Sequence, residues 1–283
     1  MSAAVLDTRL SAPRRQLRLV SQVALYEMRK ATIFRTGFLI REVMRGMNRP
    51  VVMIFVYLAI LKGSGKADIQ GFTFPELVRY LILVATFQKV IIHERSFDLS
   101  DQIFKGFITK FFVMPVRYFT LVLGRFVQFT ALQLAVAISF WLAGALLLPS
   151  YWPTPASPLA LAEASILLLL GSYCFLLMFT IIHSLAFWLD VVWTLLVGSR
   201  FVTDFVSGSL IPVAIMPAGF RGAFSWLFPY WTLSAPIEIF MGKLGTPDFL
   251  RGLAVLGVTA LLLETARRVA WGRGVRQYSG SGM

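Results

Sequence analysis

LALAEASILLLLGSYCFLLMFTII, residues 159–182, settles what kind of chain this is. A helix needs roughly 20 mostly apolar residues to cross the hydrocarbon core of a bilayer, because every backbone N–H and C=O there must be satisfied within the segment. This run supplies them without a break. The preceding PSYWPTPASP, residues 149–158, is a proline-rich turn that places Tyr151 and Trp152 at an interface. Working outward, five further stretches qualify as spans: 48–61 (NRPVVMIFVYLAIL, borrowing residues from Phe38 onward), 76–92, 119–148, 191–213 and 249–270. The expected fold is an all-α membrane protein with six transmembrane helices.

Composition agrees. Of 283 residues, 57% are hydrophobic and only 14% charged, and the mean hydropathy of +0.73 lies far from that of a soluble domain. A net charge of +13 would suggest nucleic acid as partner of a soluble chain. Here the basic residues are segregated into loops, so they report topology and contact with anionic membrane lipids, and no nucleic-acid partner is expected. The single cysteine, Cys174, rules out an intrachain disulfide, and no Cys/His cluster has metal-ligand spacing. MSAAVLDTRLSAPRRQLRLV at the start has no apolar core of signal-peptide type before Val20, so it is expected to stay on the protein as a cytoplasmic segment.

Orientation follows from lysine and arginine. Arg9, Arg14, Arg15, Arg18, Arg29, Lys30, Arg35, Arg41, Arg45 and Arg49 precede Pro50. Arg95, Lys105, Lys110 and Arg117 lie between the second and third spans, and Arg267, Arg268, Arg273 and Arg276 at or after the sixth. With six spans these regions share one side, while the alternate loops are poor in charge. By the positive-inside rule both termini are cytoplasmic.

Two segments depart from a plain bundle. Residues 16–35, QLRLVSQVALYEMRKATIFR, place Leu19, Val20, Val23, Ala24 and Tyr26 toward one side and Arg18, Gln22, Arg29 and Lys30 largely on the other, which predicts a helix lying in the cytoplasmic interface. Residues 208–243 are apolar but broken by Pro212, Pro217, Pro229 and Pro236. They are too interrupted for a regular span, and suit re-entrant extracytoplasmic helices that dip into the outer leaflet before the sixth span.

The loop after the second span, DLSDQIFKGFITKFFVMPVRYFT (98–120), is more structured than a linker needs to be. As a helix from Asp98 it presents Leu99, Ile103, Phe104, Phe107, Ile108, Phe111 and Phe112 on a broad apolar side, with Asp101, Gln102, Lys105 and Thr109 between them. Asp98 is its expected N-cap and Pro115 its end. It reads equally as an amphipathic helix resting on lipid headgroups and as a docking helix for a cytoplasmic partner; periodicity does not separate the two.

Taken in order, these features resemble the membrane subunit of ATP-binding-cassette exporters of the ABC-2 type, in their prokaryotic branch. The motifs are an FLxR-like lead-in to the first span (Phe34, Arg35, Gly37, Phe38, Leu39), a loop of form DLSxxIxxGxxxxxxxxPV (Asp98, Leu99, Ser100, Ile103, Gly106, Pro115, Val116), and a late series at 186–189, 210–217, 227–231 and Pro236. A basic tail, WGRGVRQY at 271–278, follows. The likeness runs through nearly the whole chain and departs at REVMRGMNR, residues 41–49, which is more charged than the pattern. The resemblance implies one six-span transmembrane domain over 36–271, preceded by a cytoplasmic segment and interfacial helix (1–35) and followed by a cytoplasmic tail (272–283). It further implies a coupling helix at about 97–110 that sits in a cleft of a separate ATPase, with Asp98, Leu99, Asp101, Gln102, Ile103, Phe104, Lys105 and Gly106 as its ATPase-coupling residues. Two ATPase subunits would bind ATP and Mg, this chain itself binding no cofactor. The path would lie between this chain and a second permease copy or paralogue in a bacterial cytoplasmic membrane. Related exporters handle drugs, lipids, glycolipids and polysaccharides, so a permease for polysaccharide or lipid-linked glycan is an alternative within the same superfamily.

Other signals are weaker. GSGK at 63–66 lacks the spacing of a phosphate loop, Ile60 standing where its first glycine belongs. His93, Glu94, His183, Ser184 and Asp190 could be assembled into an intramembrane enzyme, but no nucleophile elbow accompanies Ser184 and the histidines fall on different spans. No catalytic residue is expected. Arg200 and Asp204, spaced i,i+4 in the fifth span, form either a structural ion pair or part of the path or subunit interface; Glu264 and Arg268 have the same spacing in the sixth. Trp226, Phe228, Tyr230 and Trp231 are read as interfacial anchors or as gates of a path.

Overall fold

The computed structural model describes residues 12–33, 52–60, 62–63, 68–69, 72–91, 99–113, 117–147 and 152–278. The motif residues 34–39, the charged run 41–49, His93, Glu94, Asp98, Pro115 and Val116 lie outside them. Over these residues the chain is almost entirely helical, as expected: α1 (Ala12–Ile33), α2 (52–60), α3 (Phe74–Ile91), α4 (Leu99–Phe104), α5 (Thr109–Val113), α6 (Tyr118–Leu147), α7 (Pro158–Ser184), α8 (Trp193–Val206), α9 (Ala218–Phe224), α10 (Phe228–Thr232), α11 (Ser234–Phe240) and α12 (Thr246–Gln277). Ahead of α3, Asp68–Ile69 and Phe72–Thr73 pair as a minimal antiparallel ladder, which no periodicity in so short a stretch announces.

Among the described residues, three helices are long and apolar enough to cross a membrane: α6, α7 with its 3-10 continuation to Phe187, and α12. These are the expected third, fourth and sixth spans. Helix α7 starts as its sequence dictates, with the Ser157 hydroxyl accepting the Ala160 N–H at 3.0 Å and Pro158 in the first turn. At 1.5 Å per residue α12 extends roughly 48 Å, well beyond a hydrocarbon core of about 30 Å. The expected second span is α3, which carries Glu76 near its start and Lys89 near its end. The expected fifth span, 191–213, is helical only from Trp193 to Val206. Gly208 there takes φ +80°, and Pro212 follows, so a continuous helix is not available to the chain.

What fills the bundle is the proline-broken segment. Every residue from Pro229 to Phe240 is buried, so α10 and α11 form a wedge packed against α3, α7 and α12. Trp231, 2% exposed, lies so close to Gly252 of α12 that a Cβ there would meet its ring at 2.4 Å. On the other side of the wedge, a Cβ at Gly171 of α7 would meet Thr232 Oγ1 at the same 2.4 Å. Small residues on the long helices thus admit bulky ones from the wedge, giving tight packing without help from a hydrophobic effect between helices in lipid. Leu233, Ile237 and Ile239 continue this core.

Helix α1 packs along α6. Val23 meets Gly124, Ala24 is buried, and Glu27 faces Arg125 at 3.5 Å. Arg18, Gln22 and Arg29 are exposed as expected. Tyr26, expected on the apolar side, is 60% exposed, because the packed stripe runs through Val20, Val23, Ala24 and Glu27, and residue 26 projects well away from it.

Candidate functional site

The loop between α3 and α6 folds into two short helices rather than the one expected. Gly106 takes φ +75° and ends α4 in a tight turn, with its N–H donating to Ile103 O at 3.1 Å. The chain restarts as α5, the Thr109 hydroxyl donating to Gly106 O at 2.9 Å. A helical period read across residues 98–113 therefore overstates continuity. A left-handed residue is where glycine, with no Cβ, breaks the ridge.

The break divides the side chains into two sets. Leu99, Ile103 and Ile108, all at most 4% exposed, form a core with Tyr118, Val122, Leu176, Ala186 and Val192, so the apolar side of the loop is held by the first turns of α6 and the last turns of α7. The Ser100 hydroxyl lies 2.9 Å from Nδ1 of His183, adding a polar tie between α4 and α7. Around the turn, Phe112 and Phe187 both make edge-to-face contacts with Tyr278, while Trp271 stacks on Tyr118 with centroids 5.0 Å apart. The end of α12 thus supports the same loop. The sequence marks 271–278 only as a basic tail; its two aromatic residues do the packing.

The outward set is Asp101, Lys105, Phe107, Thr109, Lys110, Phe112 and Val113. Asp101 and Lys105 pair at 2.9 Å across one turn, both more than half exposed. Such an exposed pair adds little stability. Phe107, assigned from periodicity to the apolar side, is 57% exposed, because the turn at Gly106 rotates it away from Ile103 and Ile108. Gln102 and Phe104 lie between the two sets.

The other candidates separate. Asp204 is 7% exposed; its Oδ1 accepts from Gln88 Nε2 of α3 at 3.2 Å, and its Oδ2 stands 4.0 Å from Arg200 Nε. Tyr230 and Trp231 are buried, the Trp231 indole N–H donating to Ser225 O at 2.8 Å. Trp226, by contrast, is 74% exposed, with the Arg251 guanidinium 5.4 Å from its ring. Glu238 in the wedge is 6% exposed. Among the described residues no three His, Cys, Asp or Glu side chains cluster as metal ligands do.

A bundle of long apolar helices, wedged by short proline-broken ones and bearing an anchored, amphipathic helical loop at one end, is the architecture of a multi-pass membrane protein. Comparison with known families matches residues 48–282 to the ABC-2 family transporter protein. The chain belongs to that family, whose members are the membrane-spanning components of transporters and not the catalytic ones. A search of curated proteins found no significant match.

Proposed function

We propose that this chain is the permease subunit of an ATP-driven exporter in the bacterial cytoplasmic membrane, with six spans and both termini cytoplasmic. It forms the translocation path with a second permease copy or paralogue and is driven by two separate ATPase subunits. The observation that carries this reading is the two-sided loop. Leu99, Ile103 and Ile108 lock it to the ends of α6 and α7, while Asp101, Lys105 and Phe107 face outward. A lipid-surface helix would turn its apolar residues toward the membrane; here three of them are spent on the protein, leaving a mixed polar and aromatic side suited to a protein groove. Closure of the ATPase pair would push on α4, and the rigid contacts to α6, α7 and α12 would carry that displacement into the spans. The wedge α9–α11 would sit in the outer leaflet, its broken backbone sheltered by protein.

The test is co-purification of the tagged chain with its ATPase from a membrane extract. Asp101→Lys with Phe107→Ala should abolish recovery of the ATPase while the permease still inserts. Undiminished recovery would refute the docking assignment.

A further inference from the structure

A cleft of about 960 Å³ opens where the start of α6, the end of α12, α1 and α5 meet. Among the described residues, three arginines line it, Arg117, Arg267 and Arg268, against one carboxylate, Glu264. Glu264 gathers two of them: Arg267 donates to its two oxygens at 2.8 and 2.7 Å, and Arg268 Nε donates to Oε1 at 2.6 Å. Arg267 is further fixed by lying 3.5 Å over the Phe119 ring. The carboxylate thus orders the arginines but offsets only one positive charge. Arg268, its side chain 74% exposed, spends one of five N–H donors on Glu264, and Arg117 makes no ion pair among the described residues. The described lining of the cleft is left cationic and rich in unspent donors.

Its remaining walls are amphipathic. The stacked Tyr118 and Trp271 rings are the side chains found at headgroup depth. One to two turns away, Leu261 and Leu262 of α12 and Val127 of α6 are exposed apolar residues on helices long enough to span a bilayer. A phosphate held by the arginines would therefore leave its ester substituents against an aromatic wall, with acyl chains able to run down α6 and α12.

We propose that this cleft binds the phosphate headgroup of an anionic phospholipid from the adjoining leaflet, which is the inner one in the orientation given above. The proposal needs the chain to lie in a membrane but rests on neither the exporter assignment nor the docking of an ATPase, so it stands or falls separately from them.

The test compares the purified chain in nanodiscs of phosphatidylcholine with and without phosphatidylglycerol, reading thermal unfolding, and counts lipids retained in native mass spectrometry. Phosphatidylglycerol should raise the unfolding temperature by several degrees and be retained preferentially. Arg117→Gln with Arg268→Gln should remove most of both effects while leaving unfolding in pure phosphatidylcholine unchanged. Arg276→Gln, an exposed charge outside the cleft, should remove neither. Equal responses to the two lipids, retention unaffected by the double substitution, or an equal loss with Arg276→Gln would overturn the proposal. So would a full shift produced by glycerophosphate alone, which would make the ligand a free phosphate ester.

Discussion

Ser100 Oγ and His183 Nδ1 lie 2.9 Å apart, joining the first helix of the α3–α6 loop to the last turn of a helix that crosses the bundle. His183 is 7% exposed, so the contact is made away from bulk water. Loop and bundle are thereby one mechanical unit. A double-mutant cycle over Ser100→Ala and His183→Ala should give a coupling energy of about 0.5–1.5 kcal/mol in detergent unfolding. For the ATP-driven exporter proposed above, either substitution should lower transport per ATP hydrolysed more than hydrolysis itself. Additive effects on stability would show that the pair is not an interaction.

Gly106 sets the turn between α4 and α5 with φ +75°. Among the described residues a Cβ there would meet nothing nearer than Tyr278 Oη at 3.8 Å, so the expected cost of a side chain is conformational. Gly106→Ala should destabilise by about 1–2 kcal/mol, Gly106→Asn by less, and Gly106→Val by more. Unfolding midpoints rank them; an order set by side-chain volume, with Asn worse than Ala, would contradict a backbone origin.

Gly252 and Trp231 test the wedge. Gly252→Ala forces a Cβ to within 2.4 Å of the indole, an overpacking cost of about 1–3 kcal/mol, and Trp231→Ala should lose about 3–5 kcal/mol through the cavity it leaves. Because both act on one contact, adding Trp231→Leu should relieve much of the Gly252→Ala penalty. Simple addition of the two losses in an unfolding assay would show that the packing is looser than the geometry states.

Much of the architecture was legible in the chain because membrane helices obey a local rule. The runs underlying α6, α7 and α12 must satisfy their backbone internally, so their length and apolarity announce them without knowledge of neighbours, and Pro229 and Pro236 equally announce that the segment between α8 and α12 breaks. The amphipathic character of α1 and of the loop after α3 was likewise readable from local periodicity.

Only the tertiary structure decided which residues face what. The segment 98–113 is one apolar ridge by periodicity, yet the left-handed turn at Gly106 sends Ile108 into the core and Phe107 into solvent, since a single backbone angle re-aims every side chain after it. Likewise the backbone just beyond α8 is held by distant hydroxyls: Tyr80 donates to Gly208 O at 3.3 Å and Ser234 to Ser207 O at 2.9 Å. Those partners stand 128 and 27 residues away along the chain. Composition and periodicity determine which segments are apolar enough for a membrane; contacts between segments remote in sequence determine how the chain beyond a helix is held and which side of a loop is left exposed.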